Sequence, residues 1–355
     1  MNCCQSPLQD KVKDSTAVTD TWTADRRTVL KGLAGLALGL GLGLGRPGSA
    51  QDAKKIRLAF CSQLLCVVPY EATRAGGFFA AEGLDVELIY TRGGNAAMQA
   101  LVGGAVDYAG TSFDVALQAF ARNAAIRRFA TTGRLPLFAL AVAPQAVAEI
   151  TEIKDLENRT VGVSALGNAD HALALYLLQQ AGVDPSKVSF ATLGTNLYHA
   201  LRLGQVDAGM VQEPALSLLI EDGGVALMNA MDLEDAKRYL GGPYEFMGVA
   251  VRAEERDERL DEMRRLARAL AKGLKYVQTA PVSDLIDALP SELIAGGDRA
   301  QLEGILSRYR SSLYPSDVTI DIEACRRVEQ SQLAAGLLEE PVDLDTLLDR
   351  EVLGG

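Results

Sequence analysis

The sequence predicts an α/β protein of two similar lobes, each a mixed, mostly parallel sheet flanked by helices. Two observations carry this. Short apolar strands alternate with helical segments of about 10–13 residues from Ile56 to Val211, the signature of parallel βαβ units. The segment Ala100-Leu-Val-Gly-Gly-Ala-Val-Asp-Tyr-Ala-Gly110 is also echoed by Ala200-Leu-Arg-Leu-Gly-Gln-Val-Asp-Ala-Gly-Met210, a helix, a Gly-containing cap and Val-Asp leading into a strand. Gly103 and Gly204 are expected to supply the left-handed residue that ends each helix.

Ile56–Phe60 reads as the first strand, Pro69–Ala81 as a helix stopped by Gly83, and Leu84–Ile89 as an alternating strand. Gly93-Gly94-Asn95 opens a helix through Leu101, Val106–Ala109 is a strand and Asp114–Arg122 a helix. Phe129–Thr132 and Phe138–Val142 are apolar strands. The pattern restarts with strand Thr160–Val163, helix Ala169–Ala181, strand Val188–Phe190, helix Tyr198–Leu203 and strand Ala208–Val211. Beyond Val251, Arg252–Gln278 is a long amphipathic helix with Leu260, Met263, Leu266, Leu270 and Leu274 on one stripe. Helical segments continue over Leu285–Leu289, Arg299–Tyr309 and Ile322–Leu333.

The first fifty residues read as an export signal. Arg26-Arg27 precede a charge-free run of 14 residues, Gly32–Gly45, and a small-residue stretch ending at Ala50. The run is shorter than the ~20 residues that cross hydrocarbon. The paired arginines resemble a twin-arginine signal, although Asp25 and Val29 depart from its usual residues. The expected mature protein is periplasmic and begins near Gln51. Its remainder carries 29 basic and 42 acidic residues, a net of −13, which argues against nucleic-acid binding. The five cysteines and two histidines show no metal-ligand spacing. Cys61 and Cys66 could pair in an oxidising compartment, but Cys61 falls in an expected buried strand.

From Asp155 to Pro214 a series of short motifs occurs in order. They are Asp155-Leu156, Val161-Gly-Val-Ser164, Asp170 opening a Leu-rich helix, Ala181-Gly-Val-Asp-Pro185, Gly204-Gln-Val-Asp-Ala208 and Gln212-Glu-Pro214. With Gly76–Val86, the series resembles the periplasmic solute-binding family of ABC importers for sulfonates, nitrate, taurine and thiamine pyrimidine precursors. The resemblance covers roughly Ile56–Gln278. It implies the type II periplasmic-binding-protein fold, with residues 54–139 plus 249–355 as one lobe and 143–246 as the other. Crossing strands are then expected near Ala139–Ala143 and Met247–Val251, with a ligand held between closing lobes. The implied partners are a small-molecule ligand and the permease and ATPase subunits of an importer. The binding protein itself would be a monomer without cofactor or metal.

Candidate ligand contacts lie at strand-to-helix turns, where backbone N–H groups and the positive helix end face the cleft. In the second lobe these are Ser164, Gly167, Asn168 and Asp170; Asn168 or Asp170 could equally just cap the helix. Thr111, Ser112 and Phe113 hold the equivalent place in the first lobe, with Asp114 either a ligand contact or a helix-start carboxylate. Gln63 follows the first strand, Asn196 and Tyr198 open a helix, and by resemblance Glu213 points to the cleft. Arg134 could pair with an anion or stay in solvent. His171 lacks the partners of a catalytic or metal histidine, and no nucleophile–base arrangement is present, so catalysis is disfavoured. The expected function is capture of a small polar solute, anions included, for import. The alternatives are a ligand-presenting sensor or a pyrimidine-precursor synthase-like enzyme; the latter carries a cysteine-rich motif absent here.

Overall fold

Strand-sized apolar runs, most of them followed by a helix, assemble two sheets of the same strand order. The computed structural model describes residues 55–294 and 298–354, and Gln51–Gly355 is one compact unit. The expected signal at 1–50 lies outside the described residues. The first lobe contains β1 (Ile56–Cys61), β2 (Val86–Thr91), β3 (Tyr108–Ser112) and β4 (Ile126–Thr131), with helices α1 (Leu64–Ala75), α2 (Phe78–Ala81), α3 (Gly94–Val102) and α4 (Phe113–Ala121). The second contains β5 (Ala139–Val142), β6 (Thr160–Val163), β7 (Ser189–Thr192), β8 (Ala208–Val211) and β9 (Val225–Asn229), with α5 (Ala169–Gln180), α6 (Leu197–Arg202), α7 (Ala215–Glu221) and α8 (Leu233–Leu240). The chain then returns through β10 (Met247–Arg252) to the first lobe.

The strand orders are β2-β1-β3-β10-β4 and β7-β6-β8-β5-β9. β1 runs parallel to β2 and β3, and β6 to β7 and β8. β10 and β5 are each antiparallel to both their neighbours. The strand that enters the second lobe and the strand that returns from it therefore occupy the same place in their sheets. The crossings lie beside these strands, at 132–138 and 241–246, not at Ala139–Ala143 and Met247–Val251. Those two stretches are apolar and β-rich because they are buried central strands.

The internal echo has a structural cause. Asp107 Oδ2 accepts the Arg57 N–H at the start of β1, and Asp207 Oδ2 accepts the Thr160 N–H at the start of β6, both at 2.8 Å. Each Asp ties the entry of one strand to that of its parallel neighbour. The left-handed residues are Gly104 (φ 74°) and Gly204 (φ 66°). Gly103 was expected in that role, but it takes φ −77° as the last residue of the helical path.

Other differences follow from local chemistry. α1 starts at Leu64 and carries Pro69 inside, where a start had been read. Proline leaves the carbonyl four residues back without its helical donor, and the Tyr314 hydroxyl donates to that Leu65 oxygen at 2.8 Å. α7, β9 and α8 fill a stretch to which no element had been assigned. The helix read from Arg252 begins at Leu260 instead, as α9 (Leu260–Thr279). The polar turn before it lets Arg252 donate to the Leu101 and Val106 carbonyls, and Arg259 reaches Asp107, Glu255 and Glu262.

After α9 come α10 (Val282–Asp287), α11 (Ser291–Ile294), α12 (Arg299–Leu313), α13 (Ile322–Ala334) and α14 (Leu344–Leu347). α9 covers α1 and α2, but α13 lies against α4 of one lobe and α5 of the other. From α12, Tyr309 accepts a hydrogen bond from Asn229 and Ser312 donates to the Met231 carbonyl. The C-terminal helices thus serve both lobes rather than the first alone. Among the described residues no helix is long and apolar enough to cross a membrane.

Two buried polar clusters hold the return crossing. Arg128, fully buried, donates to Glu245 (2.7 Å), the Phe246 carbonyl (3.0 Å) and the Thr111 carbonyl (3.1 Å). A Cβ at Gly248 would stand 2.5 Å from its guanidinium carbon, so that strand position requires glycine. Nearby, Asp114 Oδ1 accepts from Tyr244 (3.0 Å) and Gln332 (2.9 Å), and the Tyr244 and Ser331 hydroxyls share a hydrogen bond of 2.6 Å. Asp114 is thereby a structural carboxyl that joins α4, the crossing and α13.

Arg128→Met leaves Glu245 as a buried carboxylate without its cation, and should cost about 3–5 kcal/mol in chemical denaturation. Arg128→Met/Glu245→Gln should recover part of this; a single variant as stable as the parent would contradict the assignment. Desolvation pushes the Asp114 carboxyl from 3.8 up to about 7, against the hydrogen bonds from Tyr244 and Gln332. The folded protein then keeps a proton that the unfolded chain loses above about pH 4. The contribution of this group is full below that pH and declines as pH rises to 7. Asp114→Asn should remove the decline and gain on the parent by about 2–4 kcal/mol at pH 8. Parallel stability–pH curves for the two proteins would count against it.

Candidate functional site

Four helices of nine to twelve residues start on one cavity between the lobes. Their N-caps are Gln63 (α1), Gly93 (α3), Ser112 (α4) and Asn168 (α5), and all four line it. In none does a side chain cap the helix. Away from the cavity, α8, α12, α13 and α14 each carry an Asp that accepts from the first turn, while α9 and α10 are uncapped as well. The uncapped ends at the cavity direct positive potential into the space between the lobes. Arg92 lines the same space and has no ion pair among the described residues.

The cavity is narrow, with about 50 Å³ of free space. Its walls are largely apolar, from Phe60, Tyr70, Val115, Phe138, Phe246 and Met247, with Cys61 and Cys66 on one side. Into it face Thr111 Oγ1, Ser112 Oγ and Gln212 Oε1, three buried polar atoms without a partner. Thr111 and Ser112 are only 3% and 7% exposed, so water offers them little compensation. Across the mouth, Asn95 of α3 donates to Asn168 of α5. This contact draws the lobes together over the cavity.

A second, more open chamber of about 310 Å³ continues from the first and shares Gln63, Phe138, Ser164, Asp170 and Gln212 with it. Tyr198, Thr195 and Glu213 line this part. Glu213 is held by the Ser217 N–H and hydroxyl at 3.0 Å, and burial moves its carboxyl upward.

The structure thus brings Gln63, Thr111, Ser112, Ser164, Asn168 and Asp170 to the inner cavity and Glu213 to the outer chamber. Asp170 does not offer a free carboxylate. Ser164 donates to it through both N–H and hydroxyl, and burial raises its pKa. Its job here is to shape the turn, while Asn168 and Ser164 face inward.

Three expected contacts do not reach the space. Phe113 is fully buried, its ring 5.2 Å from the Arg128 guanidinium, because the first side chain of α4 turns into the core. Gly167 takes φ 79° on the outer side of its turn and donates to His171 Nδ1. Asn196 is exposed, in a 3₁₀ turn whose neighbours Thr195 and Tyr198 point inward. Arg134 donates to the Ser311 and Ser312 carbonyls instead of meeting a ligand. His171 packs edge-on against Phe190, and burial lowers its pKa. Arg92, Gly94, Asn95 and Gln212 went unselected. A strand followed by a helix with no capping side chain, as at Gly93-Gly94, was the available signal for the first three.

Known proteins share this fold. A protein from Bordetella bronchiseptica has a TM-score of 0.75 and 25% identity, over 84% of this chain and 95% of that one. The ligand-binding component of an ABC-type import system from Staphylococcus aureus has a TM-score of 0.65 and 14% identity, over 84% and 97%. The periplasmic aliphatic sulphonate-binding protein SsuA from Escherichia coli has a TM-score of 0.61 and 16% identity, over 82% and 96%. No curated protein matches the sequence. A sequence profile described as NMT1/THI5 like matches residues 67–283, more than half the chain. The protein has the two-lobed periplasmic-binding-protein fold and belongs to the NMT1/THI5-like family.

Proposed function

We propose that this chain is the solute-binding component of an ABC-type importer, capturing a small molecule between its lobes. The observation that carries the reading is the group of Thr111 Oγ1, Ser112 Oγ and Gln212 Oε1, buried and unpartnered around a cavity ringed by four uncapped helix ends. Unsatisfied buried polar atoms are costly, so three in one cavity describe a ligand's hydrogen bonds. The ligand has an apolar body that fits the aromatic walls and a polar head that accepts from the helix ends, with anions such as sulfonates favoured. Micromolar capture needs about 8 kcal/mol, within reach of a few such bonds plus burial of apolar surface.

The similar solved structures include binding components of import systems, which favours capture over catalysis. On this reading the chain acts as a monomer in the periplasm, and presents its ligand to a permease and its ATPase. Residues 1–50 would be the export signal, of the twin-arginine type.

Native mass spectrometry of Gln51–Gly355 should show a mass excess that vanishes on unfolding. No excess, and no thermal shift with sulfonates, nitrate, taurine or pyrimidines, would overturn the reading. Thr111→Val removes a hydroxyl with no partner in the protein. It should leave the melting temperature unchanged and weaken ligand binding about tenfold, the worth of one hydrogen bond. Equal affinity in calorimetry would remove Thr111 from the site.

A further inference from the structure

Two thiols stand on the cavity wall with no part in the scheme above. Cys61 ends β1 and Cys66 lies in the first turn of α1, on either side of Gln63, and both line the inner cavity as free cysteines. Each thiol is the largest influence on the other's ionisation, so the two are close neighbours on that wall. Structural cysteines are usually isolated in apolar packing; two neighbouring free thiols on the wall of one cavity are the arrangement of a reactive dithiol.

We propose that Cys61 and Cys66 form a redox-active pair that exchanges with low-molecular-weight disulfides entering the cleft, closing to an internal disulfide. Cys61 is the attacking residue. It is partly exposed, and the Cys66 thiol and the backbone at Gln63 hold its pKa down. Cys66 is buried, and its pKa is pushed up by the hydrogen bond with Cys61 and by desolvation, so it resolves second. The Cys61 thiolate attacks one sulfur of the reagent, the reagent's S–S bond breaks, and one thiolate departs and takes up the proton lost from Cys61. The mixed disulfide then occupies the cavity. The Cys66 thiolate attacks the Cys61 sulfur and expels the second thiolate, which takes up the proton from Cys66. Two protein thiols are oxidised and one reagent disulfide is reduced to two thiols. Because the adduct fills the inner cavity, ligand capture and thiol exchange exclude one another.

The test uses the full chain, oxidised glutathione and peptide mapping without reductant, and it does not depend on knowing the solute. The wild type should give a Cys61–Cys66 cross-link while Cys325, fully buried, stays free. Cys66→Ser should stop at a glutathione adduct on Cys61, and Cys61→Ser should give no adduct on Cys66. Closure of the mixed disulfide should speed up as pH rises, since it needs the Cys66 thiolate. Cys61 remaining free in the wild type, or cross-linked to Cys3 or Cys4 in place of Cys66, would overturn the proposal. So would a Cys66→Ser protein without the Cys61 adduct.

Discussion

The guanidinium of Arg128 has no route to water, and much of the molecule is arranged to satisfy it. It draws Glu245 and the Phe246 carbonyl of the return crossing onto β4, and the carbonyl of Thr111 onto the same group. A charge buried alone would be strongly destabilising, so each of these partners is held in place. One of them, Thr111, carries the idle hydroxyl of the cavity. Phe246, another, lines the cavity wall. The cation thereby fixes the relation between the crossing and the binding face without touching the cavity itself.

Around this point the C-terminal helices act as a brace. Tyr244 in the crossing meets Asp114 of the first lobe and Ser331 of α13, and α13 also lies on α5 of the second. Opening of the lobes must therefore accommodate a helix that touches both. Asn95–Asn168 is a lighter contact at the mouth, one hydrogen bond between amides, and is the cheaper of the two to break.

Much of the fold was legible in the sequence because burial imposes period and length. The strands at Thr160–Val163 and Ala208–Val211 fall where short apolar runs place them. The echo between residues 100–110 and 200–210 was readable because Asp107 and Asp207 do the same backbone work. Pro69 misled because its helical vacancy is filled by Tyr314, a residue far away in sequence. The site was legible at the turns, where Thr111, Ser112 and Asn168 precede helices. It was not legible where the direction of a side chain decides, as at Phe113 against Ser112. One residue along an extended turn exchanges core for cavity, and composition carries no record of that choice.

The placement of β10 bears on the order in which the molecule can be completed. Among the described strands β4 pairs only with β10, which is wedged between it and β3, and its far edge holds a single bridge to Leu348. A ribosome that has released residues 55–131 has delivered four of the first lobe's strands and withheld the one that seats the fourth. The second lobe, contiguous from β5 to α8, has all its strands in hand more than a hundred residues before the chain ends. The lobe made first is thus finished last. Until Met247–Arg252 emerges, β3 presents an open edge that the nascent protein must keep from other strands.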